Sequence, residues 1–216
     1  MISLDPVEAR ALGALIEKEM ATPEYYPLSL NALVNACNHK SNRDPAMSLD
    51  ADDVTEALER LRSKGLASIL TGGDNRVPKH SHRVYEALNL GNREAAVLCV
   101  LLLRGPQTPG EVRTRTQSLH HFEDLDSVEG TLHRLMEREA PLVARLPRQT
   151  GMKEARYAHL LSGEPPAAPE TERAPEAPAA AASSSRLERL ETEIAALRSD
   201  FDRLERQFAD FRKAFE

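Results

Sequence analysis

The sequence contains the same succession of predicted elements twice, in residues 4–88 and again in residues 90–160. In each copy the pattern predicts a capped apolar helix, a short helix, a longer amphipathic helix and a β-hairpin. At a constant offset of 86, the first helix of copy one recurs in copy two: Leu4, Glu8, Leu12, Leu15 and Ile16 return as Leu90, Glu94, Leu98, Leu101 and Leu102. A repeat of this length predicts two copies of one small domain.

The repeat continues through the third helix into the hairpin. At an offset of 74, Val54, Leu58 and Leu61 return as Val128, Leu132 and Leu135, and we align Tyr85 with Tyr157. We place the hairpin strands at 66–70 and 82–88 in copy one, and at 142–146 and 156–160 in copy two. Three helices followed by a hairpin is the order of a winged helix. The predicted fold is therefore mainly α, of the α+β class, with two tandem winged-helix domains.

Four segments differ in composition. Residues 1–88 and 89–163 are the predicted winged-helix domains, and residues 164–185, rich in Pro, Ala, Glu and Ser, predict a flexible linker. In residues 186–216, apolar side chains follow alternating steps of three and four, which is typical of a coiled-coil seam. The seam predicts a homo-oligomer; the alternative is one amphipathic helix packed on its own domains. The seam residues are Leu187, Leu190, Ile194, Leu197, Phe201, Leu204, Phe208, Phe211 and Phe215.

The second helix and the loop after it carry a family resemblance. Residues 31–45, Asn-Ala-Leu-Val-Asn-Ala-Cys-Asn-His-Lys-Ser-Asn-Arg-Asp-Pro, resemble the signature of the YceH-like family of bacterial proteins. Residues 12–19 and 22–29 strengthen the resemblance, which extends to about residue 160 and includes the trailing heptad helix. A departure is His39, where the family pattern has Gln. The resemblance implies the tandem winged-helix fold and no particular activity.

The charge distribution limits how a nucleic acid could bind. The chain has a net charge of −6, of which copy one contributes −3, copy two +1 and residues 164–216 −4. A protein attached to DNA by bulk electrostatics is basic on the domain that faces DNA. Neither copy is strongly basic, so any nucleic-acid site is expected to be a local patch.

The first functional hypothesis is a DNA-binding transcriptional regulator. In a winged helix the third helix enters the major groove and the hairpin contacts phosphate or the minor groove. Asn and Arg side chains can read base edges, and basic side chains can bind phosphate. The candidates lie in the loop before helix 3, in both hairpins and on the second helix of copy two: Lys40, Asn42, Arg43, Arg76, Lys79, Arg83, Arg113, Arg115, Arg145, Arg148 and Lys153.

The second hypothesis is a non-catalytic scaffold that uses its winged helices to bind a partner protein. It is favoured by acidic residues at the start of each helix 3, in the runs 50–59 and 123–129. Carboxylates repel phosphate, and helix capping explains only one or two of them per helix. The polar loop 35–43 has its own alternative, a structural network in which Asn side chains bind backbone groups.

Other functional classes find little support. His80-Ser81-His82 and His120-His121 do not match a metal-site spacing, and no motif for a nucleophile, a nucleotide or a cofactor is present. We therefore expect no enzyme, no metal and no cofactor. Cys37 and Cys99 lie on predicted apolar helix faces and are expected to be reduced core thiols. No apolar run is long enough for a membrane span and no signal peptide is evident, so we expect a cytoplasmic protein.

Overall fold

The computed structural model describes residues 2–72, 75–148 and 154–163, which form a mixed α and β fold. The first half contains α1 (Pro6–Ala21), a 3₁₀ turn (Pro23–Tyr25), β1 (Leu28–Ser29), α2 (Leu30–Cys37), α3 (Ala51–Ser63), β2 (Ala67–Gly72), β3 (Asn75–His82) and α4 (Val84–Ala87). The second half contains α5 (Asn92–Arg104), α6 (Pro109–Arg115), α7 (Leu125–Met136), β4 (Val143–Arg145) and β5 (Tyr157–His159). The second half thus repeats the order of three helices followed by paired strands.

Short polar side chains set where the helices begin. The Asp5 carboxylate accepts hydrogen bonds from the backbone N–H groups of Val7 and Glu8, each at 2.8 Å, and so satisfies donors that the first turn leaves free. Ser29, Asp50 and Thr108 cap α2, α3 and α6 in the same way. The N-cap of α7 is Asp124, which accepts from Ser127 N–H at 2.8 Å.

Each half also contains a small antiparallel sheet. In the first half β3 lies between β1 and β2, with His80 opposite Leu28 on one side and Ile69 on the other. In the second half β5 pairs with β4, and an isolated bridge joins Tyr157 to Gln107 on the other side. Tyr157 therefore occupies the place that His80 has in the first half.

The predicted second strand of the first hairpin is wrong. The strand covers Asn75–His82, and residues 84–87, which we predicted as strand, form α4. The backbone pairs show the true alignment, because Arg83 N–H donates to Leu66 O at 2.8 Å and Leu160 N–H donates to Leu142 O at 2.8 Å. Tyr85 lies in α4 and is not the counterpart of Tyr157. The apolar run after His82 misled the prediction, since a short apolar segment fits a strand and a buried helical turn equally well.

The core is continuous across the two halves, and α1 and α5 lie at its centre. Residues 8–16 of α1 and residues 95–103 of α5 are all buried, as expected for helices surrounded by protein. The helices approach closely at Gly13, whose carbonyl oxygen lies 3.4 Å from the Cys99 Sγ. A Cβ at Gly13 would lie 2.8 Å from Leu103 Cδ2, so only glycine fits this crossing without displacing a neighbour.

A polar cluster near the start of α1 recurs at the start of α5. The Glu8 carboxylate accepts from Asp5 N–H at 2.7 Å and lies 3.9 Å from the Arg60 guanidinium, and Lys64 donates to Ser3 O. In the second half Glu94 accepts from Gly91 N–H at 3.1 Å and lies 3.5 Å from Arg134, and Arg138 donates to Asn89 O. These side chains occupy the repeat offsets of 86 and 74. The three-dimensional contacts therefore repeat along with the apolar pattern.

The predicted boundary between residues 88 and 89 separates two sets of elements that share one core. The division into winged-helix domains at 1–88 and 89–163 stays a prediction. The predicted linker 164–185 and heptad segment 186–216 lie outside the described residues.

Candidate nucleic-acid interface

The loop between α2 and α3, residues 38–50, is called the signature loop here because it contains most of the family signature. Asn38 closes it at its base: its side chain donates to Leu49 O at 2.7 Å and accepts from Leu49 N–H at 2.8 Å. Arg10, which is only 2% exposed, donates from below to Cys37 O and Pro45 O. Burial and the nearby Arg43 lower the pKa of Arg10. Asn38 thus supports the structural interpretation of the loop, with a side chain that satisfies backbone groups.

Arg43 does not face solvent. Its side chain is 1% exposed, its Nη2 lies 2.6 Å from Glu17 Oε2 in α1, and it donates to Ala36 O at 2.7 Å. Nε and Nη2 donate to Ala36 O, Nη1 and Nη2 donate to the Glu17 carboxylate, and Nη1 also donates to Asn42 O. All five N–H donors of the guanidinium group thus have acceptors, and none is left for a base edge. This removes Arg43 from the side chains that could read DNA in this conformation.

The other two loop candidates lie at the surface. Lys40 and Asn42 are exposed. Asn42 has a φ of 63°, a left-handed conformation that Asn adopts more readily than most residues. Its side-chain oxygen accepts a hydrogen bond from Arg104 at the end of α5, and Asp44 N–H donates to Leu103 O at 2.9 Å. The loop therefore joins the two halves of the molecule.

Three candidates belong to the first hairpin, β2–β3. Lys79 is half-buried in β3, between Ser29 of β1 and Leu70 of β2. Arg83 is exposed, but its guanidinium lies 3.3 Å from the Glu86 carboxylate. Arg76 lies in β3, and its side chain is outside the described part. Of the described cations on this hairpin, Arg83 is thus partly neutralised and Lys79 partly covered.

The second half has more accessible positive charge. Arg145, at the end of β4, and Arg148, just after it, are both exposed, and neither forms an ion pair within residues 2–72, 75–148 and 154–163. Arg113 of α6 is exposed and donates to Glu123 O at 2.7 Å, while Arg115 lies 3.8 Å from the Glu111 carboxylate. Lys153 lies outside the described residues. Arg145 and Arg148 are consequently the most available of these cations for phosphate.

The exposed face of α3 is largely acidic, whereas that of α7 is mixed. On α3, Asp52, Glu56 and Glu59 are exposed along with one cation, Arg62. Asp50 and Asp53 form the capping box, which explains two of the acids but not the other three. On α7, Asp126 and Glu129 are exposed near the N-terminus, whereas the exposed His133 and Arg134 lie near the C-terminus. The α3 surface is therefore the less favourable of the two for DNA.

The histidines have separate structural environments. His82 is buried and its Nε2 lies 2.7 Å from the Glu19 carboxylate; burial lowers its pKa, and Glu19 only partly opposes that shift. Burial lowers the pKa of His159 to about 4. His120 packs against Phe122 with ring centroids 4.9 Å apart. In the part of the chain that the structure describes, no group of three His, Cys, Asp or Glu side chains could hold a metal ion.

Both cysteines are buried, unpaired thiols inside the core. Burial raises the pKa of Cys37 to about 12 and also raises that of Cys99. A thiol whose pKa is raised by burial is a poor nucleophile at neutral pH. Cys37 and Cys99 therefore pack as small apolar side chains.

Comparison with known proteins identifies the family. The model of the family described as "Protein of unknown function, DUF480" matches residues 4–152, which is most of the chain. The chain belongs to the DUF480 family. This agrees with the resemblance carried by residues 31–45.

Relatives named as UPF0502 proteins match between 73% and 100% of this chain. A UPF0502 protein of Solibacter usitatus is 53% identical over 213 residues, covering 99% of this chain and 98% of the relative. One from Koribacter versatilis is 61% identical over 158 residues, 73% of each chain. One from Geobacter sulfurreducens is 50% identical over 218 residues, 100% of this chain and 99% of the relative.

Sequence reasoning found the exposed cations but missed the contacts that occupy the signature loop. The Glu17–Arg43 pair joins residues that are 26 positions apart, and Asn42 meets Arg104 across 62 positions. No local pattern connects such residues. The only available signal was the high density of polar residues in a short loop beside apolar helices.

Among the described residues, no helix is long and apolar enough to cross a membrane.

Proposed function

We propose that this chain is a cytoplasmic DNA-binding protein, a transcriptional regulator built from two tandem winged helices, and that its second half provides most of the DNA contacts. The order of elements in each half supports the fold assignment: three helices, then paired antiparallel strands with a third segment beside them. This order is typical of winged helices. In that arrangement α7 and the β4–β5 hairpin of the second half would face DNA.

The observation that carries the proposal is the exposed pair Arg145 and Arg148 at the end of β4, which form no ion pair with any residue that the structure describes. A cation that already contacts a carboxylate gives up that contact to bind phosphate, whereas an unpaired one pays no such cost. The α7 surface agrees with this orientation, because α7 exposes two carboxylates, Asp126 and Glu129, whereas α3 exposes four. On α3 the exposed carboxylates outnumber the cation Arg62.

Replacing Arg145 and Arg148 together by Ala should weaken DNA binding and flatten its dependence on salt. If each side chain neutralises one phosphate, the slope of log K against log salt concentration should fall by about 2. The measurement is a titration against fragmented genomic DNA at roughly 50 and 200 mM salt, the range over which phosphate contacts show most clearly.

The matched control for this titration is Arg60→Ala. The Arg60 guanidinium lies 3.1 Å from the Asp5 carboxylate and 3.2 Å from the Glu56 carboxylate, so its charge is already neutralised. Its removal should leave the salt slope unchanged. An unchanged slope in the Arg145 and Arg148 variant would remove those two side chains from the DNA interface. The absence of any binding at the lower salt would contradict DNA binding as such.

A second candidate function is a protein-binding scaffold, and the first half favours it. The acidic face of α3 would repel DNA but could pair with a basic protein. On the adjoining hairpin Leu70 is 44% exposed and Val77 is 54% exposed. This alternative would be established if the chain does not bind DNA and a protein partner binds the unaltered chain. That partner should no longer bind after Glu56 and Glu59 are both changed to Lys.

Self-association through residues 186–216 stays part of the proposal and rests on the heptad spacing of the sequence. Ile194→Asp should place a charge in the seam and reduce the molar mass measured by light scattering to that of one chain. The matched control is Ser199→Asp, which lies at an outward heptad position and should leave the mass unchanged. An oligomer that persists in Ile194→Asp would show that the seam does not hold the subunits together.

A further inference from the structure

A pocket of about 390 Å³ lies where the signature loop meets α5 and α6. Glu17 and Asn42 line it from the first half, and Arg104, Arg115, Gln117 and Ser118 are among the residues that line it from the second. Small-molecule sites in proteins occupy roughly 300–1,000 Å³. The pocket is therefore large enough for a small ligand, and such a ligand would contact both halves.

Two carboxylates at or beside this pocket, those of Glu17 and Glu111, already have partners. Glu17 binds Arg43 through two contacts, the shorter at 2.6 Å. The Glu111 carboxylate accepts hydrogen bonds from the Arg156 guanidinium at 2.9 Å and from Thr108 N–H at 2.9 Å. Neither carboxylate is left to balance the remaining guanidinium groups of the pocket.

Two guanidinium groups consequently remain in excess. The Arg104 guanidinium forms no ion pair within the described residues, and its one hydrogen-bond partner there is the neutral side-chain oxygen of Asn42. Arg115 has only the distant contact with Glu111, at 3.8 Å. Burial, and after it the positive charges of Arg115 and Arg43, lower the pKa of Arg104, and the Glu17 and Asp44 carboxylates only partly oppose this shift. The pocket thus contains positive charge that the nearby acids offset only in part.

The remaining polar groups suit an anion as well. Helix α5 ends in the pocket wall, and its last carbonyls would repel an anion if they pointed into it. Leu103 O instead accepts from Asp44 N–H at 2.9 Å, and Arg104 O accepts from the Gln107 side chain at 3.0 Å. The exposed side chains of Gln117 and Ser118 form no hydrogen bond within the described residues, so both can donate to a ligand.

We propose that this pocket binds a small phosphate-bearing molecule, with the guanidinium groups of Arg104 and Arg115 as the phosphate ligands. The planar fork of a guanidinium matches the oxygens of a phosphate group. The bound anion would replace Asn42 as the partner of Arg104, and so link ligand binding to the signature loop. The site would be an effector site, separate from the proposed DNA surface on β4.

The test is a titration of the full-length chain with inorganic phosphate and with glycerol 3-phosphate, up to about 10 mM. Binding is measured as the change in melting temperature and by calorimetry. Chloride at matched ionic strength controls for general salt effects. We expect a saturable rise in melting temperature for the unaltered chain. Arg104→Gln and Arg115→Gln should each raise the dissociation constant about tenfold or more, because each removes a charged hydrogen bond. Arg93→Gln, at the exposed start of α5 and outside the pocket, should bind as the unaltered chain does.

Tighter binding of glycerol 3-phosphate than of inorganic phosphate would support an organic phosphate ester, and equal binding would support free phosphate. Equal stabilisation of the unaltered chain and Arg115→Gln would overturn the site, and that variant decides the matter if Arg104→Gln does not fold. A fall of about 1 in the salt slope of DNA binding in Arg104→Gln would also overturn it, since that guanidinium would then bind the DNA backbone. Failure of DNA binding leaves the phosphate titration unaffected, so the two proposals fail separately.

Discussion

Replacing Glu17 by Ala should lower the free energy of unfolding by about 3 kcal/mol, because the substitution leaves a buried guanidinium without its counter-charge. The Arg43 side chain is 1% exposed and cannot turn outwards without breaking its bonds to Ala36 O. The Glu17 side chain is 17% exposed, so water reaches the pair to a limited extent and reduces the loss. Urea unfolding followed by circular dichroism measures the effect.

The control for this experiment is Glu24→Ala, which removes an exposed carboxylate in the 3₁₀ turn and should change stability by less than about 0.5 kcal/mol. Adding Arg43→Met to Glu17→Ala should restore part of the loss, because the unpaired charge is then absent. A Glu17→Ala variant as stable as the Glu24→Ala control would show that the pair does not support the fold. Arg43 would then return to the candidates for DNA recognition.

Gly13→Val should destabilise the protein about as much as Glu17→Ala does, lowering the free energy of unfolding by about 3 kcal/mol. The first added carbon would lie 2.8 Å from Leu103 Cδ2 and 3.2 Å from Leu102 Cβ, and the valine adds two methyl groups beyond it. Both leucines are buried in the shared core, so α1 and α5 would have to move apart. Thermal and urea unfolding measure the change.

The matched control is Gly130→Ala in α7. An added Cβ there meets nothing within 4 Å, so the better helix propensity of alanine should stabilise the protein by up to about 1 kcal/mol. We expect the free energy of unfolding to fall in Gly13→Val and to rise in Gly130→Ala. A Gly13→Val variant as stable as the unaltered chain would mean that the α1–α5 crossing adjusts without cost.

The helices were predictable because their signals are local. Asp5, Ser29, Asp50 and Thr108 each begin a helix where a short polar side chain precedes an apolar stripe. The end of the first hairpin was not predictable, because the choice between strand and helix at 84–87 depends on tertiary packing. Val84 is fully buried and Tyr85 packs against the His82 ring, with centroids 5.4 Å apart.

The candidate site was predictable only as a set of charges. The sequence identifies Arg43, Arg83 and Arg145 as equivalent cations in polar segments. The structure separates them, since one is buried on Glu17, one is paired with Glu86 and one is exposed at the end of β4. Arg104 was not among the candidates, because nothing in its helix indicates that the signature loop lies beside it. Partners distant in the sequence decide which charges remain available.

The close approach of Gly13 and Cys99 places equivalent positions of the two halves in contact. These residues are counterparts in the repeat, at the offset of 86, and they contact each other in the core. Residues meet their own counterparts at the axis of a symmetric dimer. The two halves thus meet at this crossing as the subunits of such a dimer do, but they belong to one chain, which makes their association independent of protein concentration. The halves of one chain need not have identical surfaces, and their net charges here are −3 and +1.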